Sequence, residues 1–204
     1  PKMLFEHGGE RPADHIGRTC GAAELAATML QLQAEGCHNI NWVSPTHQVP
    51  ALVRALALAA ANGLSVPIVH NSNGYDSVGV LEQLDGVVDI YMPDLKYSDE
   101  LAAQELSGIA DYPAAARSAI AEMFRQVGDS WDLAPDGALR RGLLVRVLIL
   151  PGGLAGVPET LRWLSEGLSP LVTVSLMSQY RPCHRAGRVA GHPDRHVVGR
   201  VAGA

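Results

Sequence analysis

Apolar positions recur along the chain in two alternating periods. Residues 21–35 place Leu25, Met29, Leu30 and Leu32 at helical spacing, and Gly36 closes the run. His38 to Val43 reads as a short strand stopped by Ser44-Pro45. A helix over Val49 to Ala61 ends at Asn62-Gly63, a left-handed stop. Residues 66–70 give a second strand, 77–85 a short helix, and 87–92 a third strand that stops at Pro93. Segment 112–127 is an amphipathic helix with Ala115, Ile120, Met123, Phe124 and Val127 on one side. Residues 129–142 form a turn or hairpin around Asp136-Gly137. The fourth strand, 143–150, is the most apolar stretch; a helix over 158–168 and a fifth strand over 171–177 follow.

Five near-continuous apolar strands separated by helices predict a parallel sheet covered on both sides, hence the α/β class. No long Pro/Gly linker divides the chain. The period alone leaves an open sheet and a curved, barrel-like one equally available.

In parallel α/β folds the chemistry collects beyond the carboxyl ends of the strands. Those ends read Ser44-Pro45-Thr46-His47, Asn71-Ser72-Asn73-Gly74-Tyr75, Pro93-Asp94-Leu95-Lys96-Tyr97, Pro151-Gly152-Gly153 and Ser178-Gln179-Tyr180-Arg181. Each has a plain reading too. Asn71 to Gly74 is a good turn sequence, Asp94 and Lys96 could be an exposed ion pair, and His47 a surface histidine. Arg146 resists such a reading, because it interrupts an apolar strand and a buried guanidinium needs a partner. That partner is either a core carboxylate or the anionic group of a ligand.

Composition narrows the class further. Hydrophobic residues make up 47% and charged residues 18% of 204, with mean hydropathy +0.07, which excludes a disordered or fibrous chain. No apolar run reaches the roughly 18 residues of a spanning helix, and the polar start does not read as a secretory signal. Three scattered cysteines (Cys20, Cys37, Cys183) make no disulfide framework, so a reducing, cytoplasmic setting is expected. Net charge is −5, yet residues 181–204 hold five Arg against one Asp. That basic tail lacks interleaved aromatics, which argues for a solvated tail and against nucleic-acid contact. His7, His15, Cys20 and His38 are ligands by type, but their spacing matches no metal site, and none built from this chain is expected.

Taken together, segments 38–47 (HNINWVSPTH), 67–97 (PIVHNSNGYDSVGVLEQLDGVVDIYMPDLKY), 111–129 (DYPAAARSAIAEMFRQVGD), 141–153 (RGLLVRVLILPGG) and 177–182 (MSQYRP) resemble radical S-adenosylmethionine proteins of the pyruvate formate-lyase-activating-enzyme-like group. The resemblance spans about residues 21–182, leaving 1–20 unmatched and 183–204 as the tail. It implies a partial (β/α) barrel of roughly six strands in the complete family member. It also implies a [4Fe-4S] cluster and S-adenosylmethionine, cleaved reductively to a 5′-deoxyadenosyl radical. Partners would be an electron donor such as flavodoxin or ferredoxin, and a glycyl-radical-type protein or other substrate.

By the same resemblance, Asn71, Ser72 and Asn73 lie beside the ribose and methionyl part of the cofactor. Asp94 and Lys96 border cofactor and substrate, Arg146 lies near the cofactor, and Gln179 with Ser178 and Tyr180 approaches the adenine. Thr46 and His47 stand where relatives carry Gly-Gly-Glu. No catalytic residue is assigned. The family's Cys-x-x-x-Cys-x-x-Cys loop, which follows the first strand, is not in this sequence. The expectation is therefore a member truncated before its first helix, lacking the first strand and cluster loop, whose own enzyme activity is left open. The alternatives are a cluster-free barrel acting as a binding or interaction module, a nonfunctional fragment, and an aldolase-like barrel using Lys96 for Schiff-base chemistry.

Overall fold

The computed structural model describes residues 19–180. Most of the unmatched start and the whole basic tail 183–204 lie outside the described residues. The chain alternates as read: α1 (Ala22–Ala34), β1 (Ile40–Val43), α2 (Val49–Ala61), β2 (Ile68–Ser72), α3 (Val78–Glu82) and β3 (Ile90–Pro93). Then come α4 (Glu100–Ser107), α5 (Tyr112–Val127), β4 (Asp132–Leu133), β5 (Leu139–Leu148), α6 (Val157–Gly167) and β6 (Thr173–Met177). No helix among the described residues is long and apolar enough to cross a membrane.

Five strands run parallel in the order β1-β2-β3-β5-β6, and the short β4 folds back antiparallel on the start of β5. The class is α/β with a mixed six-stranded sheet, open between β1 and β6 among the described residues. Strand order never reverses. With crossovers of one hand, every connecting helix then falls on the same face of the sheet. Packing bears this out. Ile40, Trp42, Ile68, Tyr91, Leu143, Val145 and Val147 share one sheet face by register, and all belong to one core cluster. That cluster takes residues from each of the six α-helices, including Met29, Leu52, Leu81, Ala103, Ile120 and Leu164.

The opposite face carries Val43, Val69, Asn71, Ile90, Met92, Leu144, Arg146 and Leu148, because side chains alternate along a strand. Val69 and Ile90 are buried there, apart from the helix-side core. The sheet therefore has one dry face and one mixed face, and the mixed face holds the guanidinium of Arg146.

Details differ from the sequence reading for physical reasons. β2 continues through Asn71 and Ser72, because Asn71 pairs with Val43 and Met92, and Ser72 with Pro93. These two residues are strand, and the turn starts at Asn73. β5 begins four residues before the expected 143, since the hairpin at Gly137 pairs Leu139 and Arg141 with β4. Helix α4 was not foreseen. Its first turn is capped by the Asp99 carboxylate, which accepts from the Ala102 N–H at 2.9 Å, and Gly108 ends it at φ +72°.

Candidate functional site

The carboxyl ends of the five parallel strands form one rim. On it, β3 and β5 run in register so that Asp94 pairs with Arg146. Leu95 N–H donates to the Arg146 carbonyl at 2.8 Å, which locks the two strand ends together. Side by side on the same face, the two side chains meet: Arg146 Nη2 lies 2.7 Å from Asp94 Oδ1. Lys96 sits two residues on and brings Nζ to 3.4 Å from the other oxygen, Oδ2. One carboxylate thus stands between two cations. The Arg146 Nε is buried without a hydrogen-bond partner, so the guanidinium keeps a donor unspent.

These three side chains line a cleft of about 230 Å³ with Tyr97, Leu148, Leu150, Met177 and Tyr180. One wall is charged and the other apolar. Sites for drug-sized ligands run to roughly 300–1,000 Å³, so this cleft suits one end of a ligand rather than the whole of it. Two cations against one carboxylate leave a positive surplus there, which favours an anionic ligand group.

A second polar cluster lies under the rim at β1 and β2. Thr46 donates to Asp76 Oδ1 at 2.6 Å, tying the loop after β1 to the loop after β2. His70 Nε2 lies 3.5 Å from Asp76 Oδ2, and both side chains are almost fully buried. Burial pushes the Asp76 carboxyl up, but His70 and the Ser72 and Thr46 hydroxyls outweigh it and hold the carboxyl below its ordinary value. The His70 ring also packs at a tilt on Tyr91, with centroids 5.7 Å apart.

Between the two clusters stands Tyr112, from the first turn of α5. Its hydroxyl is within donating distance of the Asn73 carbonyl (2.8 Å) and the Asp94 carbonyl (3.0 Å), and accepts from Lys96 N–H at 3.1 Å. Burial holds its pKa well above the usual phenol range, so the proton stays on. Tyr75 stacks on one side of its ring at 6.2 Å and Tyr97 meets it edge-on at 5.6 Å. Gly74, at φ +81°, lies against the Asp94 carbonyl so closely that a Cβ there would collide with it.

The structure therefore unites Asp94, Lys96 and Arg146. Asn71 is buried on the mixed face, and its carbonyl accepts from Ser44 N–H at 2.7 Å. Ser72 and Asn73 serve the turn: Ser72 Oγ accepts from Gly74 N–H and Asn73 Oδ1 from Tyr75 N–H. Thr46 joins the Asp76 cluster rather than the cleft, and His47 is exposed. Gln179 is exposed beside Tyr180, which lines the cleft. Reading by strand ends included Tyr97 but missed His70, Asp76 and Tyr112. The lone histidine closing an apolar run at 66–70 was a usable signal for the first; nothing local marks Tyr112.

Comparison with known proteins adds one relative. The chain is 27% identical over 163 residues to an uncharacterized protein of Methanocaldococcus jannaschii, covering 78% of this chain and 43% of that protein. The chain thus spans less than half the length of the curated relative it matches. No protein-family model matches it. No solved structure matches either.

Proposed function

We propose that the rim binds S-adenosylmethionine, and that this chain is the cofactor-binding part of a partial (β/α) barrel of the radical S-adenosylmethionine type. The observation that carries the reading is the Asp94 carboxylate set between Arg146 and Lys96 at the carboxyl end of a sequentially ordered parallel sheet. The resemblance of segments 38–47, 67–97, 111–129, 141–153 and 177–182 supplies the ligand's identity.

The residues present fit this ligand. Arg146, which lines the cleft, would hold the amino-acid carboxylate through its guanidinium, and the apolar wall of Leu148, Leu150 and Met177 would seat its methylene chain. Asp94 and Asn71 would accept from ribose hydroxyls. S-adenosylmethionine supplies a sulfonium whose carbon–sulfur bond is broken by one-electron reduction. The chain's own part is to bind and orient it.

The [4Fe-4S] cluster does not fit the residues of this sequence. Three thiolates are required, and Cys20, Cys37 and Cys183 have no such spacing. Among the described residues no three His, Cys, Asp or Glu side chains form a metal-holding group. A cluster, with its electron donor and radical chemistry, would need ligands from outside this sequence.

A second reading, a cluster-free module that binds a carboxylate ligand, rests on the same cleft. Calorimetric titration in metal-free buffer tests both. S-adenosylmethionine and S-adenosylhomocysteine binding, with methionine alone far weaker, supports the nucleoside-bearing ligand. Binding of simple carboxylates at equal strength supports the second reading, and no heat from any of them contradicts both.

A further inference from the structure

We infer that Tyr112 is a positioning residue for the cleft, its single hydroxyl setting where the Asp94 carboxylate and Lys96 stand relative to Arg146. This rests on the reading of the cleft as a ligand site. The hydroxyl meets the backbone just after the attachment of the Asp94 side chain and just before that of Lys96: the Asp94 carbonyl accepts from it and the Lys96 amide donates to it. The loop after β2 is drawn in by the same atom through the Asn73 carbonyl. With one proton and two lone pairs, a tyrosine can donate to one carbonyl at a time and accept the amide, so the three groups share one oxygen.

Strand pairing already fixes Asp94 and Leu95, and the Tyr112 hydroxyl adds the hold on Lys96, which lies past the ladder. Beyond β3 the chain leaves the ladder, after the Asp94 and Leu95 amides have donated to Ser72 and Arg146. Lys96 N–H would then be left to solvent in a part-buried place. Tyr112 is itself fixed, since its ring is buried at 3% exposure between Tyr75 and Tyr97 and it stands at the start of the long helix α5. Gly74 completes the arrangement by letting the β2 loop lie directly on the Asp94 carbonyl, with the Tyr112 hydroxyl 3.3 Å from where a Cβ would be. A hydroxyl on a rigid helix therefore relates two strand ends to one another, and the ligand-facing side chains follow.

The test is Tyr112→Phe, which removes only the oxygen, beside Tyr75→Phe, which removes an exposed hydroxyl bonded to Asp111 at the edge of the same aromatic stack. Each is measured for thermal midpoint, for the 13C shift of the Asp94 carboxyl carbon and the Arg146 Nε–H signal, and for S-adenosylmethionine affinity. Tyr112→Phe is expected to move both NMR signals and to weaken binding about tenfold. Tyr75→Phe should leave the signals in place and affinity within about twofold. Wild-type signals in folded Tyr112→Phe, or equal effects of the two substitutions, would overturn the assignment. If the wild type binds no S-adenosylmethionine, the ligand reading fails by itself, and the Asp94 and Arg146 signals alone decide the role of Tyr112.

Discussion

Arg146 Nη2 stands 2.7 Å from Asp94 Oδ1, and the two residues are also partners in backbone register between β3 and β5. The ion pair is therefore built into the sheet: strand pairing places both Cβ atoms on one face, and the charges meet with little freedom lost. Both side chains keep about a fifth of their surface in solvent. The contact is worth far less than a fully buried pair, and its value lies in presenting oriented charge to the cleft.

The close approach at Gly74 has a measurable cost if blocked. Gly74→Ala must fit a methyl group against the Asp94 carbonyl while holding φ at +81°. A loss of at least about 2 kcal/mol is expected from strain and displacement together. Urea denaturation measures it. Wild-type stability in this variant would mean the two strand-end loops are not in contact.

Asp76 gives the fold a pH dependence. Its folded value is lowered, so its contribution is complete above the unfolded value of 3.8 and is lost as pH falls from there through the folded value. Asp76→Asn should lower stability at neutral pH by about 1–3 kcal/mol, because the Thr46 and His70 contacts weaken in a buried place. The same variant should show a shallower loss below pH 3.8 than the wild type. Denaturation midpoints across pH 2.5–7 check both, on the pH span over which carboxylates of ordinary affinity titrate.

Iron chemistry should be absent from the chain alone. Reconstituted anaerobically with iron and sulfide, it is expected to show neither the broad visible absorption of a [4Fe-4S] cluster nor its reduced paramagnetic signal. A stable cluster on this chain would contradict the ligand argument from Cys20, Cys37 and Cys183.

Much of this arrangement was legible before the structure. The strands are legible because apolar runs such as 143–150 are punctuated by turn residues such as Pro93 and Gly63. The expected cover on both sides does not hold: among the described residues the helices lie on one face, and burial along β5 alternates. Arg146 stood out because it breaks such a run. Its pairing with Asp94 was not legible, since register between strands 52 residues apart is decided by sheet packing and not by local pattern. Helix α4 escaped because its apolar face is thin: Leu101 is 83% exposed and Ala103 alone is buried. Tyr112 reads as an ordinary core aromatic beside Pro113. Its role depends on where its hydroxyl ends up among three backbone groups from two distant loops.

The most direct measurement is a binding cycle. Wild-type chain and Arg146→Ala, each confirmed folded by circular dichroism, are titrated with S-adenosylmethionine and with 5′-methylthioadenosine, which lacks the amino-acid carboxylate. If Arg146 holds that carboxylate, the substitution weakens S-adenosylmethionine binding at least about tenfold and leaves 5′-methylthioadenosine within about twofold. Equal losses for both ligands, or no binding of S-adenosylmethionine to the wild type, would contradict it.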